Sequence, residues 1–396
     1  MDFSSRNKVF TFLDEYSNDV KGQINSKKTI NMLLKSYIFE TYTSTSKSKK
    51  IELAQLFALK KFTTVQIDEE LFLIKRGNET IGFVEKVDER FSILYSIDKA
   101  QRADILTNLL VKQFPVLDNL WISGKMFDYF WDNIQSEHMP HRYIKLKFEY
   151  DGFFEVLQGY NINNEENIDE DEILDDQRIT SISLVEELDN LRDKIDQVRL
   201  LFPAFFAVGL LRFPSLVGKG GHDFYRHGKV TNRSESFNDH RYQIISTVKQ
   251  YKHITVNIES DVWLKFDKFT SDKLGVKMEG SPVVFKFSKR LQEKVFLNFV
   301  NYTFPTGKEP FRILGSPIWV NENKVHIYGN DIHLWQKVLM ELSREEFVVI
   351  LPRGTCGNTI HRLVTNIQRF LDPAVDVFIG DQRYEKFLRS GRESDV

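Results

Sequence analysis

The chain has 396 residues, 41% of them hydrophobic and 28% charged, with 33 Phe, 14 Tyr and 5 Trp. That is enough apolar material to offset the entropy lost on folding, and too much length for a single hydrophobic core. A formal net charge of -2 excludes a global pull toward nucleic acid or anionic membrane, and the single cysteine, Cys356, excludes an internal disulfide and any multi-cysteine zinc site.

The opening Met1-Asp2-Phe3-Ser4-Ser5-Arg6 lacks the basic and apolar segments of a secretory signal. The longest apolar run, Leu200 to Leu211, falls short of the roughly 18 residues that span a bilayer. These features predict a cytoplasmic α+β protein of several domains with no membrane contact.

Residues 1–62 read as a helical segment, with Val9, Phe10, Phe12 and Leu13 on one face and Ile30, Leu33, Leu34, Tyr37 and Ile38 at helical spacing. It is basic: eleven Lys or Arg against five acidic residues between Arg6 and Lys61, including Lys47, Lys49 and Lys50. A solvated face explains such a pattern as well as a nucleic-acid contact does. Short apolar runs at Thr64–Ile67, Leu71–Ile74, Ile81–Val84 and Ile93–Tyr95 predict antiparallel strands. A helix through Ile105 and Phe114, a strand at Asn119 to Ser123, a helix from Met126 to Ile134 and an alternating strand from Tyr143 to Tyr150 complete an α+β domain over 63–159.

The stretch 160–177 carries Glu165, Glu166, Asp169, Glu170, Asp171, Glu172, Asp175 and Asp176, and its self-repulsion predicts a linker or surface loop. Over 178–262 the pattern predicts strand (Ile179 to Leu184), helix (Leu184 to Val198), strand (Ala204 to Phe213), strand (Asp223 to Asn232), helix (Phe237 to Val248) and strand (Ile254, Val256, Ile258). That is the β-α-β-β-α-β order of the split βαβ, or ferredoxin-like, unit. Ser236, three residues before Asp239, marks a helix start. Residues 263–396 predict a mixed α/β domain with strands at 262–266, 283–287, 311–320, 324–328 and 347–351, a helix from Lys289 to Phe299, another through Ile360 and Leu371, and a strand at Val375 to Ile379.

Two loops stand out chemically. From Arg212 to Lys252 there are eight Lys or Arg against three acidic residues, and Lys219, His222, Arg226, Lys229 and Arg233 frame a glycine-containing hairpin that suits a phosphate backbone, with Phe224 or Tyr225 free to stack on a base. The other is Arg353-Gly354-Thr355-Cys356-Gly357-Asn358-Thr359, a strand-turn-helix whose N-terminus, helped by Arg353, Thr355, Asn358, Thr359 and Arg362, predicts an anion site. It lacks the Gly-Lys-Ser/Thr ending of a nucleotide-hydrolysing loop. Each loop also has a plain reading, as a solvated hairpin and a capped helix.

His222, Asp223, His227, Asp239 and His240 could be metal ligands, but His222 and His227 would face opposite ways on one strand. Cys356 beside His361 could be a nucleophile, although a lone cysteine more often packs. No nucleophile elbow, metalloprotease helix, dinucleotide fingerprint or paired-cysteine motif occurs. The reading is therefore a nucleic-acid-binding, non-catalytic, cofactor-free component of an intracellular prokaryotic complex with protein partners, with antiviral defence as one setting. A metal-dependent phosphodiesterase and a protein-interaction scaffold are the alternatives.

Overall fold

The computed structural model describes residues 3–25, 32–41, 52–137, 142–157, 179–268 and 276–389. Helix α1 (Arg6–Asn25) lays Val9, Leu13 and Val20 into the core. The helix expected through Leu33, Tyr37 and Ile38 is instead strand β1 (Lys35–Glu40); Ile30, Lys47, Lys49 and Lys50 lie outside the described residues. All six residues of β1 are buried. A short strand covered on both faces shows no polar alternation, so periodicity cannot separate it from a helix. Helix α2 (Leu53–Leu59) follows, its start fixed by reciprocal capping between Glu52 and Gln55.

The next strands form as predicted: β2 (Thr63–Gln66), β3 (Leu71–Arg76), β4 (Glu79–Lys86) and β5 (Phe91–Ser96). Helix α3 (Ala100–Gln113), the two-residue β6 (Asp118–Asn119), α4 (Gly124–Glu137), β7 (Tyr143–Asp151) and the single turn α5 (Phe153–Val156) come next. The acidic stretch 160–177 lies outside the described residues.

Beyond it, β8 (Ile179–Glu187), α6 (Leu188–Leu201) and β9 (Val208–Pro214) keep the predicted order. The single strand expected over 223–232 folds back on itself as β10 (Gly221–Tyr225) and β11 (Lys229–Asn232). Gly228, at φ +75°, adopts the left-handed turn that this reversal needs. The strand expected at Ile254, Val256 and Ile258 is the end of α7 (Phe237–Val262). Ile254 and Ile258, four residues apart, are buried while Val256 between them is 46% exposed, which is a helical pattern. The observed order is β-α-β-β-β-α, so these elements do not make the ferredoxin-like unit. Ser236 does cap α7, accepting from the Asp239 backbone N–H at 3.2 Å.

These strands form one antiparallel path, β2-β3-β4-β5-β1-β11-β10-β9-β7-β8, with β6 flanking β1. The sheet draws on 1–62, 63–159 and 178–262 alike, which independent domains with those boundaries could not do.

A second sheet takes its strands from Trp263 onward. It contains β12 (Trp263–Lys268), β13 (Val276–Glu279) and β14 (Val283–Lys286), then, after α8 (Glu293–Thr303), β15 (Ile313–Asn321), β16 (Lys324–Asp331), β17 (Gln336–Ser343) and β18 (Glu346–Pro352). Helix α9 (Asn358–Phe370), β19 (Asp376–Ile379), β20 (Gln382–Arg383) and α10 (Tyr384–Arg389) end it. The order is β15-β16-β17-β18-β14-β19-β20, with β12 beside β18 and β13 beside β12. One apolar core runs through both sheets, from Phe224 and Val230 through Ile254 and Ile258 of α7 to Leu363, Phe285 and Val349. A smaller core of Tyr37, Phe39, Leu53, Phe57 and Leu106 sits where α2 and α3 cover the other face of the first sheet. Among the described residues, no helix is long and apolar enough to cross a membrane.

Candidate functional site

Alternation along β7 to β11 sends Leu146, Phe148, Leu211, Phe213, Phe224 and Val230 into the core. It therefore turns Lys145, Lys147, Arg212, Asp223, Tyr225 and Lys229 to the opposite face, beside α3. Register sets Lys145 opposite Arg212, Arg212 opposite Asp223, Asp223 opposite Thr231 and Thr231 opposite Lys35. Buried Asp223 accepts from both Arg212 and Arg233, and these two guanidiniums hold its carboxyl below the usual range although burial pushes it up. The Lys229 ammonium donates to both oxygens of Asp104 at 2.7 Å, and the Tyr37 hydroxyl donates to the same carboxylate at 2.7 Å. Lys147 donates to Glu149 at 2.6 Å.

The face thus gathers the cations Lys35, Lys145, Lys147, Arg212, Lys229 and Arg233 around the carboxylates Asp98, Asp104, Glu149, Asp151 and Asp223. Glu149 is shared further with Arg226 at 2.8 Å and Arg369 at 3.0 Å. At the floor lies Lys35, 2% exposed, whose Nζ has no hydrogen-bond partner among the described residues. Burial, joined by the charge of Lys229, pushes its ammonium down to about 8. Keeping that group charged in a site closed to solvent costs free energy.

A second concentration of charge is sealed inside, where the two sheets meet. Arg90 of the β4–β5 turn donates to Glu40 at the end of β1 and, at 2.6 Å, to Glu259 of α7. Arg362 of α9 donates to Asp118, Asp331 and, at 3.0 Å, the Phe311 carbonyl. Arg312 donates to the Leu117 and Val111 carbonyls at 3.0 Å and to Asp118 at 3.3 Å. Burial pushes the Asp118 carboxyl up, but Arg362 and Arg312 outweigh it and hold the group at about 2. His333 and Cys356 complete the cluster, both fully buried.

A family model described as MJECL33-like protein matches residues 2–386. The chain belongs to the MJECL33-like family. Uncharacterized protein MJECL33 of Methanocaldococcus jannaschii is 24% identical to it over 365 residues, covering 86% of this chain and 85% of that protein. No solved structure matches the chain.

In this MJECL33-like fold, Lys229 and Arg233 of the first predicted site come together on the cationic face, and Arg226 reaches Glu149 from the neighbouring turn. Lys219 is exposed in the loop before β10. His222 is a correction: it points into the core, where its Nε2 lies 3.0 Å from Asp239 Oδ2 and its Nδ1 3.1 Å from His240 Nδ1, with Ser36 beyond at 2.8 Å. Asp223 faces the other side of the sheet and His227 sits in the turn, so these groups do not share a metal site.

The second predicted site is corrected more fully. Thr355, Asn358, Thr359 and Arg362 are buried and satisfied internally, and among the predicted groups there only Arg353 is exposed. Thr355 donates to Pro352, Asn358 to the Asn119 carbonyl at 2.9 Å, and Thr359 to Asp331. The anion that a helix N-terminus attracts is supplied from within, since Glu259 accepts from the Gly357 N–H at 2.7 Å while Gln336 takes the Cys356 N–H at 2.8 Å. Sequence reading missed Lys35, Lys145, Lys147 and Arg212 of the face, and Glu40, Arg90, Asp118, Glu259, Arg312, Asp331 and His333 of the interior. The one local signal was alternation in β7, which marked Lys145 and Lys147 as facing away from the apolar side.

Proposed function

We propose that the protein is a non-catalytic binding component that holds the phosphate backbone of nucleic acid across the outer face of its first sheet. Lys145, Lys147, Arg212 and Arg233, all within reach of solvent, crowd one stretch of this face and carry the argument. Lys145 opposite Arg212 supports the same reading, because like charges directly across a sheet repel until an anion bridges them. Tyr225, half-buried on this face, offers a ring for a base to stack on. The sealed interior cluster gives no substrate a way to its acids and bases, which is why the reading is binding without turnover.

The test is a fluorescence-anisotropy titration with labelled single-stranded and duplex DNA and RNA at about 50 and 200 mM salt. Wild type is compared with Arg233→Ala, with Lys145→Ala/Lys147→Ala, and with Lys289→Ala/Lys294→Ala away from the face. Binding that weakens steeply with salt and falls in the first two variants alone supports the reading. Equal binding in all forms, or none at either salt, sinks it and leaves the scaffold reading, for which Tyr328, Leu339 and Ile350 form an apolar row on the outside of the second sheet.

A further inference from the structure

Three potential metal ligands converge at the seam between the two sheets: Glu40 ends β1, His333 lies in the turn after β16, and Cys356 lies in the turn entering α9. Each is 0% exposed, and one donor atom from each lies within 4.8 Å of the other two. Cys356 Sγ is 3.1 Å from Glu40 Oε2, and His333 Nε2 is 3.7 Å from the same oxygen. Ligand atoms around a tetrahedral ion with bonds of about 2.0–2.3 Å stand about 3.3–3.8 Å apart, so the spacing suits an ion with little adjustment.

The histidine is held ready for this role. Its Nδ1 is 3.0 Å from the Pro115 carbonyl oxygen, which can only accept, so Nδ1 carries the proton and Nε2 the lone pair. That lone pair, buried and aimed at Glu40 and Cys356, has no hydrogen-bond partner among the described residues. The turn that delivers it is shaped at a cost: Leu334 and Trp335, directly after His333, hold φ of 66° and 53°, a left-handed region bulky side chains avoid. Two contacts anchor it, from the His333 N–H to Asp331 and from the Leu334 N–H to Pro115, both at 2.9 Å.

The ion pairs of the interior point the same way. Arg312 and Arg362 balance Asp118 and Asp331, whereas Arg90 alone faces both Glu40 and Glu259. In formal side-chain charge the interior beside His333 and Cys356 therefore carries one carboxylate in excess, eased in part by the Gly357 N–H at the start of α9. With the thiol ionised the deficit becomes two, which one divalent cation cancels.

We propose that Glu40, His333 and Cys356 bind one divalent transition-metal ion, zinc by the mixture of oxygen, nitrogen and sulfur donors, and that the ion fastens the first sheet to the second. Binding forms the metal–sulfur bond and releases the Cys356 proton to solvent; nothing is oxidised or reduced. The site is independent of the nucleic-acid reading, and its test needs no nucleic acid.

The full chain is stripped with a chelator in mild denaturant, refolded with cobalt or zinc, desalted, and its metal measured per chain alongside the absorption spectrum of the cobalt form. The expected result is about one ion per chain, a thiolate-to-cobalt charge-transfer band, and loss of both in Cys356→Ser and in His333→Gln. Wild type that refolds to its native circular dichroism yet retains no cobalt and shows no band overturns the proposal. So does metal that both variants keep. If neither variant folds, the wild-type spectrum decides, because the chain has no cysteine other than Cys356 to give the band.

Discussion

The outer face of the first sheet and the interior seam are built from the same residue types, yet they settle their charges in opposite ways. On the face, cations exceed carboxylates and several are half-exposed, so water and an incoming polyanion can complete what the protein leaves open. In the seam, water is excluded, every guanidinium is held by carboxylates or carbonyls, and the small imbalance that remains is negative. The difference teaches that surplus charge is cheap where solvent reaches it and has to be designed around where it does not.

Breaking the seam should produce the largest effect. Arg362→Met leaves Asp118 and Asp331 short of a guanidinium in a sealed site, and a loss of about 3–5 kcal/mol is expected in urea unfolding. The matched change on the face, Arg212→Met, leaves Arg233 on Asp223 and is expected to cost about 1 kcal/mol or less. Equal losses for the two would erase the contrast.

Lys35 stands between the two regimes, buried like the seam but unpaired. Lys35→Met removes the cost of a buried ammonium and should raise stability by about 1–3 kcal/mol. The wild-type pH profile sharpens the point. The folded-state value of about 8 lies below the unfolded value, so between them the unfolded chain binds more protons and stability rises with pH. Chemical denaturation of wild type at pH 7 and 9 reads the rise, and Lys35→Met should not show it.

Lys145→Ala/Lys147→Ala should leave stability within about 0.5 kcal/mol of wild type. It should flatten the slope of log affinity against log salt by about 0.7–0.9 for each phosphate that is no longer neutralised. The last expected effect concerns Glu149 and is set by pH. Burial pushes its carboxyl up, but the hydrogen bond from Lys147 and the charges of Arg226 and Arg369 hold it at about 2, below its unfolded value. The stability it contributes is present above about pH 4.5 and fades as pH falls toward 2. The urea midpoints of wild type and Glu149→Gln should therefore converge on acidification.

Where one face was apolar and the other wet, the sequence spoke clearly: β7 and α3 stand close to where periodicity puts them. It misled where burial was two-sided. Tyr37, Ile38 and Phe39 carry no alternation because both faces of β1 are covered, and Ile254, Val256 and Ile258 mimic a strand because residues two apart say nothing about the helix around them. The basic hairpin was visible as composition, but its carboxylate partners Asp104 and Glu149 come from distant segments that no local pattern links to it. The interior cluster was illegible for the same reason, since Glu40, Asp118, Glu259 and Asp331 meet only in the folded chain.

The place of β1 governs how the chain can assemble. Its partners are β5 on one side and β11 on the other, with Lys35 registered on Thr231 nearly two hundred residues later. Likewise, among the described residues, β7 pairs with β8 and β9, both beyond the acidic stretch. During synthesis the central strand of the first sheet must wait with one edge open, and slow, non-local closure of this kind exposes intermediates to aggregation. Cutting the chain within 160–177 divides a sheet rather than separating two domains, and neither fragment should fold without the other.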